Sequence, residues 1–185
     1  MVWTRSSGIG VILLGLSATV NVLLAVKVKE LRADTAAVRA HLTLKPGESV
    51  PFLDIATEEG SRVRVDPERS PIPTVVYTFD RDCGWCSRNW PAIREVVVQT
   101  RGRYHVIGLS LSALDPRRHR SPRDFPGPIY QGPSDATRRA YGLGATPQTI
   151  VIAPSGRVLA VWRGAYVGAV AKEIEAFFNV RLAGM

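Results

Sequence analysis

Cysteine is nearly absent: Cys83 and Cys86 are the only two in 185 residues. A closed structural zinc site wants four protein ligands, usually as two short-spaced pairs. With no third cysteine, and with His41, His105 and His119 scattered along the chain, ligand count argues against such a site. There is no internal repeat and no low-complexity tract, so nothing points to a repeat array. No nucleic-acid-binding motif accompanies the net charge of +8. That charge comes from arginine spread along the chain. Its densest cluster, Arg117-Arg118-His119-Arg120 with Arg123, sits among prolines and reads as a solvated basic loop.

The longest absence is of charge itself. From Ser6 to Val26 no residue is ionisable, and the apolar core of that run is long enough to cross a bilayer as one helix. A cleaved signal peptide has a shorter apolar region and a small-residue cleavage site. Residues 1–26 are therefore expected to be an uncleaved, single-pass membrane anchor. Residues 27–44 follow as a helical stalk, with Val28, Leu31, Thr35, Val38 and Leu42 forming one short apolar stripe. Lys27, Lys29 and Arg32 after the span would hold the C-terminal side in the cytoplasm. A dithiol domain is of most use where disulfides persist, outside it. The two signals conflict, and the chemistry is given more weight.

Residues 45–185, part of a chain that is 45% hydrophobic, have the apolar content for one modest domain. Val50–Ile55 reads as an edge strand because Pro51 cannot donate to a central ladder. Arg62–Val65 alternates as a second strand, and the uncharged run Thr74–Phe79 reads as a buried central strand. A helix is expected from Ser87 to about Gln99, interrupted by Pro91, and then a strand at Tyr104–Leu111. Residues 112–133 hold five prolines and read as a long irregular connection. Ser134 is the expected N-cap of a short helix. Gln148–Ala153 and Arg157–Arg163 form a hairpin about Pro154-Ser155-Gly156, and Val167–Phe178 form an amphipathic terminal helix. The order predicts an α/β sandwich with a mixed central sheet.

Cys83 and Cys86 lie where the central strand gives way to the helix. A cysteine at a helix N-terminus has its thiolate stabilised by backbone N–H groups and the helix dipole. A second cysteine one turn on can close a disulfide. Exchange needs such a pair, Cys83 to attack and Cys86 to resolve. Gly84 and Trp85 complete the loop, and with Cys86 they supply the N-terminal amides. Asp80 and Asp82 would raise the thiol pKa, and Arg81 and Arg88 would lower it. An inert structural disulfide is the alternative, but so small a loop constrains little of the unfolded chain.

This pattern resembles the thioredoxin superfamily, and within it the membrane-anchored, extracytoplasmic branch related to TlpA and ResA. Cys83-Gly84-Trp85-Cys86 after a strand, Pro91 five positions on, and Thr146-Pro147 before the final hairpin carry the resemblance over about residues 45–180. It implies a thioredoxin-like sandwich and thiol–disulfide oxidoreductase activity on protein thiols and disulfides. It also implies no cofactor beyond the Cys83–Cys86 disulfide, a membrane thiol carrier as electron donor, and a periplasmic or extracytoplasmic domain. Pro147 matches the family's cis-proline, which faces the dithiol, and the backbone of Thr146 would pair with substrate. Three positions depart from the family: Asp82 stands where a Trp usually precedes the first cysteine, its buried Asp is here Tyr77, and the Glu of the cytochrome-maturation members is here Asn89. The moderate thiolate stabilisation expected around Cys83 favours reduction over oxidation. A non-enzymatic metal carrier or tethered assembly factor is the alternative. A peroxiredoxin-like peroxidase fits less well, because Asp80 and Val76 stand where its motif needs Thr or Ser and Pro.

Overall fold

The structure, a computed structural model, describes residues 5–41, 43–113 and 125–182; within the first helix, side chains are described from Leu13 to Leu31. The chain divides into two units between Thr43 and Leu44. The first is one continuous helix, α1 (Arg5–His41), so the expected anchor and stalk are a single element. Among the described residues, no helix is long and apolar enough to cross a membrane. The expected span is thus not borne out there, and the side chains of its first part, Ile9–Ile12, lie outside the described residues. So do the side chains of Thr35 and Val38 in the expected stripe, all of Leu42, and the basic cluster Arg117–Arg123.

The second unit is built on a seven-stranded sheet in the order β2-β1-β5-β4-β3-β6-β7. Its strands are β1 (Leu53–Thr57), β2 (Arg62–Val65), β3 (Thr74–Phe79), β4 (His105–Ser110), β5 (Ile129–Gln131), β6 (Gln148–Ile152) and β7 (Val158–Arg163). β3, β4 and β5 run parallel, and the other pairings are antiparallel, so the sheet is mixed as expected. Its helices are α2 (Gly84–Gln99), α3 (Asp135–Ala140) and α4 (Gly168–Phe178). Every residue of β3 is buried, as a strand covered on both faces requires. Its alternate side chains feed two cores. Val75, Tyr77 and Phe79 pack with Ile93 and Val96 of α2 and Ile174 and Phe178 of α4. Val76 packs with Leu53, Ile55, Ile107, Ile150 and Tyr141 on the opposite face.

Two sequence expectations are corrected. β1 is not an edge: it pairs with β2 on one side and β5 on the other. Pro51 lies outside the strand, so its missing donor is no obstacle there. β5 was hidden in the proline-rich connection. It is only three residues long, and its place is set by tertiary pairing with β4 and β1 rather than by local pattern. Leu44 is buried with the second core.

Candidate active site

β3 ends at Phe79 and the chain turns through Asp80–Asp82 into α2. That helix begins at Gly84, earlier than expected, with Cys83 as its N-cap. The Cys86 N–H donates to the Cys83 Sγ at 3.1 Å, so the sulfur does the work of a capping oxygen. It receives both that amide and the positive end of a helix of 16 residues. Cys83 and Cys86 are disulfide-bonded, with Cα atoms 5.2 Å apart. Their surroundings differ. Cys83 is half-buried, whereas Cys86 is 1% exposed and belongs to the core beneath α2. Only Cys83 is open to a partner.

The rim around Cys83 is charged. Asp80 Oδ1 accepts the Arg81 N–H at 2.7 Å and the Ser112 hydroxyl, which ties it to the end of β4. Arg81 Nε reaches Asp82 Oδ2 at 3.4 Å. Of the four charges expected to act on Cys83, Arg81 and Asp82 thus face each other, while Asp80 is held by neutral donors. Trp85 is 52% exposed, and the Arg88 guanidinium lies 4.7 Å from its ring centre. The two residues are one helical turn apart, the spacing that lets side chains meet. Trp85 therefore presents an apolar surface beside the dithiol, with a cation over one of its faces.

Beneath the dithiol the groups are polar but neutral. Cys86, Asn89, Ile93 and Val96 form the buried stripe of α2. Asn89 Oδ1 accepts the Tyr166 N–H at 3.0 Å, and Tyr166 Oη shares a 2.6 Å hydrogen bond with Thr149 Oγ1. Tyr77 packs edge-on to both Trp90 and Tyr166. Burial, reinforced by the Tyr166 phenol, pushes the Tyr77 hydroxyl far above its ordinary pKa; the nearby Asn89 side chain opposes this, although Tyr77 Oη makes no hydrogen bond of good geometry. Burial likewise raises Tyr166. The Asn89 Nδ2 is also buried without a partner. Tyr77 and Asn89 were noted from the sequence as departures. The contributions of Tyr166 and Thr149 were missed, because only the fold brings these distant segments under α2.

The Thr146–Pro147 peptide bond is cis. Gln148 pairs with Thr78, so the register, extended by one residue, sets Pro147 against Phe79, at the end of the sheet from which the dithiol loop departs. Thr78 Oγ1 fastens this junction, donating to the Gln148 carbonyl at 3.2 Å and accepting its N–H at 3.1 Å. Thr146 is half-buried and Pro147 buried. His105 opens β4 opposite Thr74, at the other end of the sheet, so it does not join the cysteines. His119 lies outside the described residues. Among the described residues no group of three or more His, Cys, Asp or Glu is placed to hold a metal ion.

No family model and no curated protein matches the chain. Solved structures do. A thiol:disulfide interchange protein from Bacteroides sp. superposes with TM-score 0.58 at 17% identity, over 74% of this chain and 91% of that one. The thioredoxin domain of a thiol-disulfide oxidoreductase from Bacteroides vulgatus superposes with TM-score 0.55 at 16% identity, over 74% of this chain and 100% of that one. StoA from Bacillus subtilis gives TM-score 0.52 at 12% identity, over 69% and 98%. At these identities the likeness is one of fold, and that fold is the thioredoxin-like sandwich.

Proposed function

On this thioredoxin-like fold, we propose that the chain is a thiol–disulfide oxidoreductase acting on protein disulfides. The observation that carries the proposal is the asymmetry of the pair: an accessible Cys83 sulfur capping α2, and a Cys86 sulfur buried one turn on. In the reduced form the Cys83 thiolate attacks a partner disulfide. A Cys83–partner S–S bond forms, the partner S–S bond breaks, and the first partner sulfur leaves as a thiolate. Cys86, once deprotonated, attacks Cys83 Sγ. The Cys83–Cys86 bond closes and the second partner sulfur leaves. Two electrons pass from the dithiol to the partner, and no cofactor takes part. Because the rim charges offset one another, thiolate stabilisation is moderate, which favours a reducing role with a membrane thiol carrier as electron donor. The charge-free run Ser6–Val26 supports tethering of the domain to a membrane, and the dithiol, of most use where disulfides persist, favours its extracytoplasmic side.

Reduction of a protein disulfide under dithiothreitol turnover tests the activity: the chain should accelerate it, and a Cys83→Ser/Cys86→Ser double variant should not. A potential close to −120 mV, the value typical of DsbA, would overturn the reducing direction while leaving the chemistry intact. Labelling of intact cells with a membrane-impermeant thiol reagent tests location. Protection of both cysteines until lysis would reverse the proposed sidedness.

A further inference from the structure

The dithiol and the cis bend at Thr146–Pro147 belong to different elements, so the gap between them depends on how those elements are joined. Cys83 is carried by α2, whereas Thr146 and Pro147 lead into β6. Thr146 is half-buried, and among the described residues its backbone N–H and C=O make no hydrogen bond. An open backbone donor and acceptor at the end of a strand are what an extended chain needs to pair there.

A series of hydrogen bonds joins the bend to α2. β7 ends at Arg163, and a tight turn, Gly164–Val167, leads into α4. At its start the Gly164 N–H donates to the Pro147 carbonyl at 2.8 Å. Further on, the Tyr166 N–H donates to Asn89 Oδ1 at 3.0 Å, and the Tyr166 hydroxyl meets Thr149 Oγ1 at 2.6 Å. The turn is thus held to the Pro147–Thr149 segment at one side and to α2 at the other. Asn89 is 2% exposed and lies one helical turn beyond Cys86 on the same buried stripe. Gly164 has a φ of 95°, a conformation that glycine alone adopts without strain, and a Cβ there would meet nothing within 4 Å.

We propose that Asn89 is a positioning residue for the exchange reaction: through the Tyr166 N–H and the turn behind it, Asn89 sets the open backbone of Thr146 against Cys83. The inference rests on the oxidoreductase reading above. Buried as it is, Asn89 touches no substrate and takes no proton. Without its oxygen the buried Tyr166 N–H loses its acceptor, a cost that the turn relieves by shifting. The bend shifts with it through Gly164 and Pro147, while Cys83 and the amide that caps it stay in place. A displacement of about 1 Å is enough to impair a bound substrate. The defect falls on polypeptides that pair along Thr146, not on small disulfides that reach only the sulfur.

Steady-state turnover under dithiothreitol, with the uncatalysed rate subtracted, tests this on two probes. Insulin carries its disulfides in a polypeptide; bis(2-hydroxyethyl) disulfide has no backbone to pair. Asn89→Leu, nearly isosteric but without an acceptor, should raise the KM for insulin about five- to tenfold and change kcat/KM for the small disulfide by less than about twofold. Asn89→Asp restores an oxygen to the Tyr166 N–H and should return the insulin KM to within about twofold of wild type. Gly164→Ala cuts the same series at its other end and should raise the insulin KM by itself. Combined with Asn89→Leu it should add little, because the two act on one linkage. A merely structural role would lower the folded fraction, and with it both activities together, without moving KM. An unchanged insulin KM in Asn89→Leu, an equal loss on both probes, or full additivity with Gly164→Ala would overturn the inference and leave the oxidoreductase reading intact. A wild-type chain that turns over neither probe would overturn that reading and the inference with it.

Discussion

Cys83 opens onto a rim crowded with charge, whereas Cys86 is buried in a core that also holds the uncharged polar groups of Tyr77, Asn89, Thr149 and Tyr166. The rim carries Asp80, Arg81, Asp82 and Arg88, with the tryptophan face between them and the sulfur held by a backbone amide. Those polar groups lie in the interior, where burial drives both phenols away from ionisation. The lesson is a division of labour. A surface sulfur is activated by amides and a helix end, which work at any pH. The buried sulfur, among the described residues, shares its core with no carboxylate that could take its proton. Exchange chemistry and fold stability therefore draw on different residues, only a helical turn apart.

Substitution at the dithiol should have the largest effect. Cys83→Ser should reduce protein-disulfide turnover to the uncatalysed rate, because a hydroxyl cannot replace the thiolate as nucleophile. Its melting temperature should stay close to that of the reduced wild-type chain. A residual rate well above background would erase the distinction between the two sulfurs.

The next contrast is between Ile93 and Trp85 on the same helix. Ile93 is fully buried, and Ile93→Ala should cost about 2–5 kcal/mol of stability through lost burial and the cavity left behind. Trp85→Ala should change stability by no more than about 0.5 kcal/mol, as exposed substitutions do, yet raise the KM for a protein substrate severalfold. Denaturant melts and turnover kinetics on both variants check this. A destabilised Trp85→Ala would move that ring from the rim into the core.

The neutrality of those buried groups is tested by Asn89→Asp. A carboxylate there is desolvated, so its folded pKa lies above the unfolded value near 3.9. The penalty is absent below the unfolded pKa and grows as pH rises toward the folded pKa. Stability should fall by about 1–3 kcal/mol between pH 4 and pH 7 relative to wild type. Asn89→Ala, which removes the acceptor of the Tyr166 N–H, should lose a similar amount at every pH.

The smallest effect is far from the dithiol. The hydrogen bond from Arg62 holds the Asp54 carboxyl below its ordinary pKa. A depressed pKa contributes stability above the unfolded pKa and loses it as pH falls through the folded value. Arg62→Ala should therefore lose a small amount of stability at neutral pH, a difference that shrinks to nothing as pH falls through the Asp54 pKa. Equal stability of the two chains at neutral pH would show that this exposed pair contributes nothing.

Much of this was legible in the chain. The uncharged strand, the Cys-x-x-Cys spacing, the Ser134 cap and the apolar hairpin are local signals, and local signals survive in a sequence. β5 and the Thr149–Tyr166–Asn89 network did not announce themselves, since both depend on pairing between distant segments. Pro51 misled for a related reason: proline reports the loss of its own donor, not whether the residues after it enter a ladder. The position of Arg88 over Trp85 could have been read from their i, i+3 spacing, but the spacing does not say that the ring would remain half exposed.

The central claim is that Cys83 attacks and Cys86 resolves. The direct test is mass spectrometry of reduced Cys86→Ser and Cys83→Ser chains after exposure to a disulfide-bonded peptide. The account predicts a stable mixed disulfide on Cys83 in Cys86→Ser, released by added dithiothreitol, and almost no adduct in Cys83→Ser. Comparable adduct on Cys86 in the Cys83→Ser chain would contradict it.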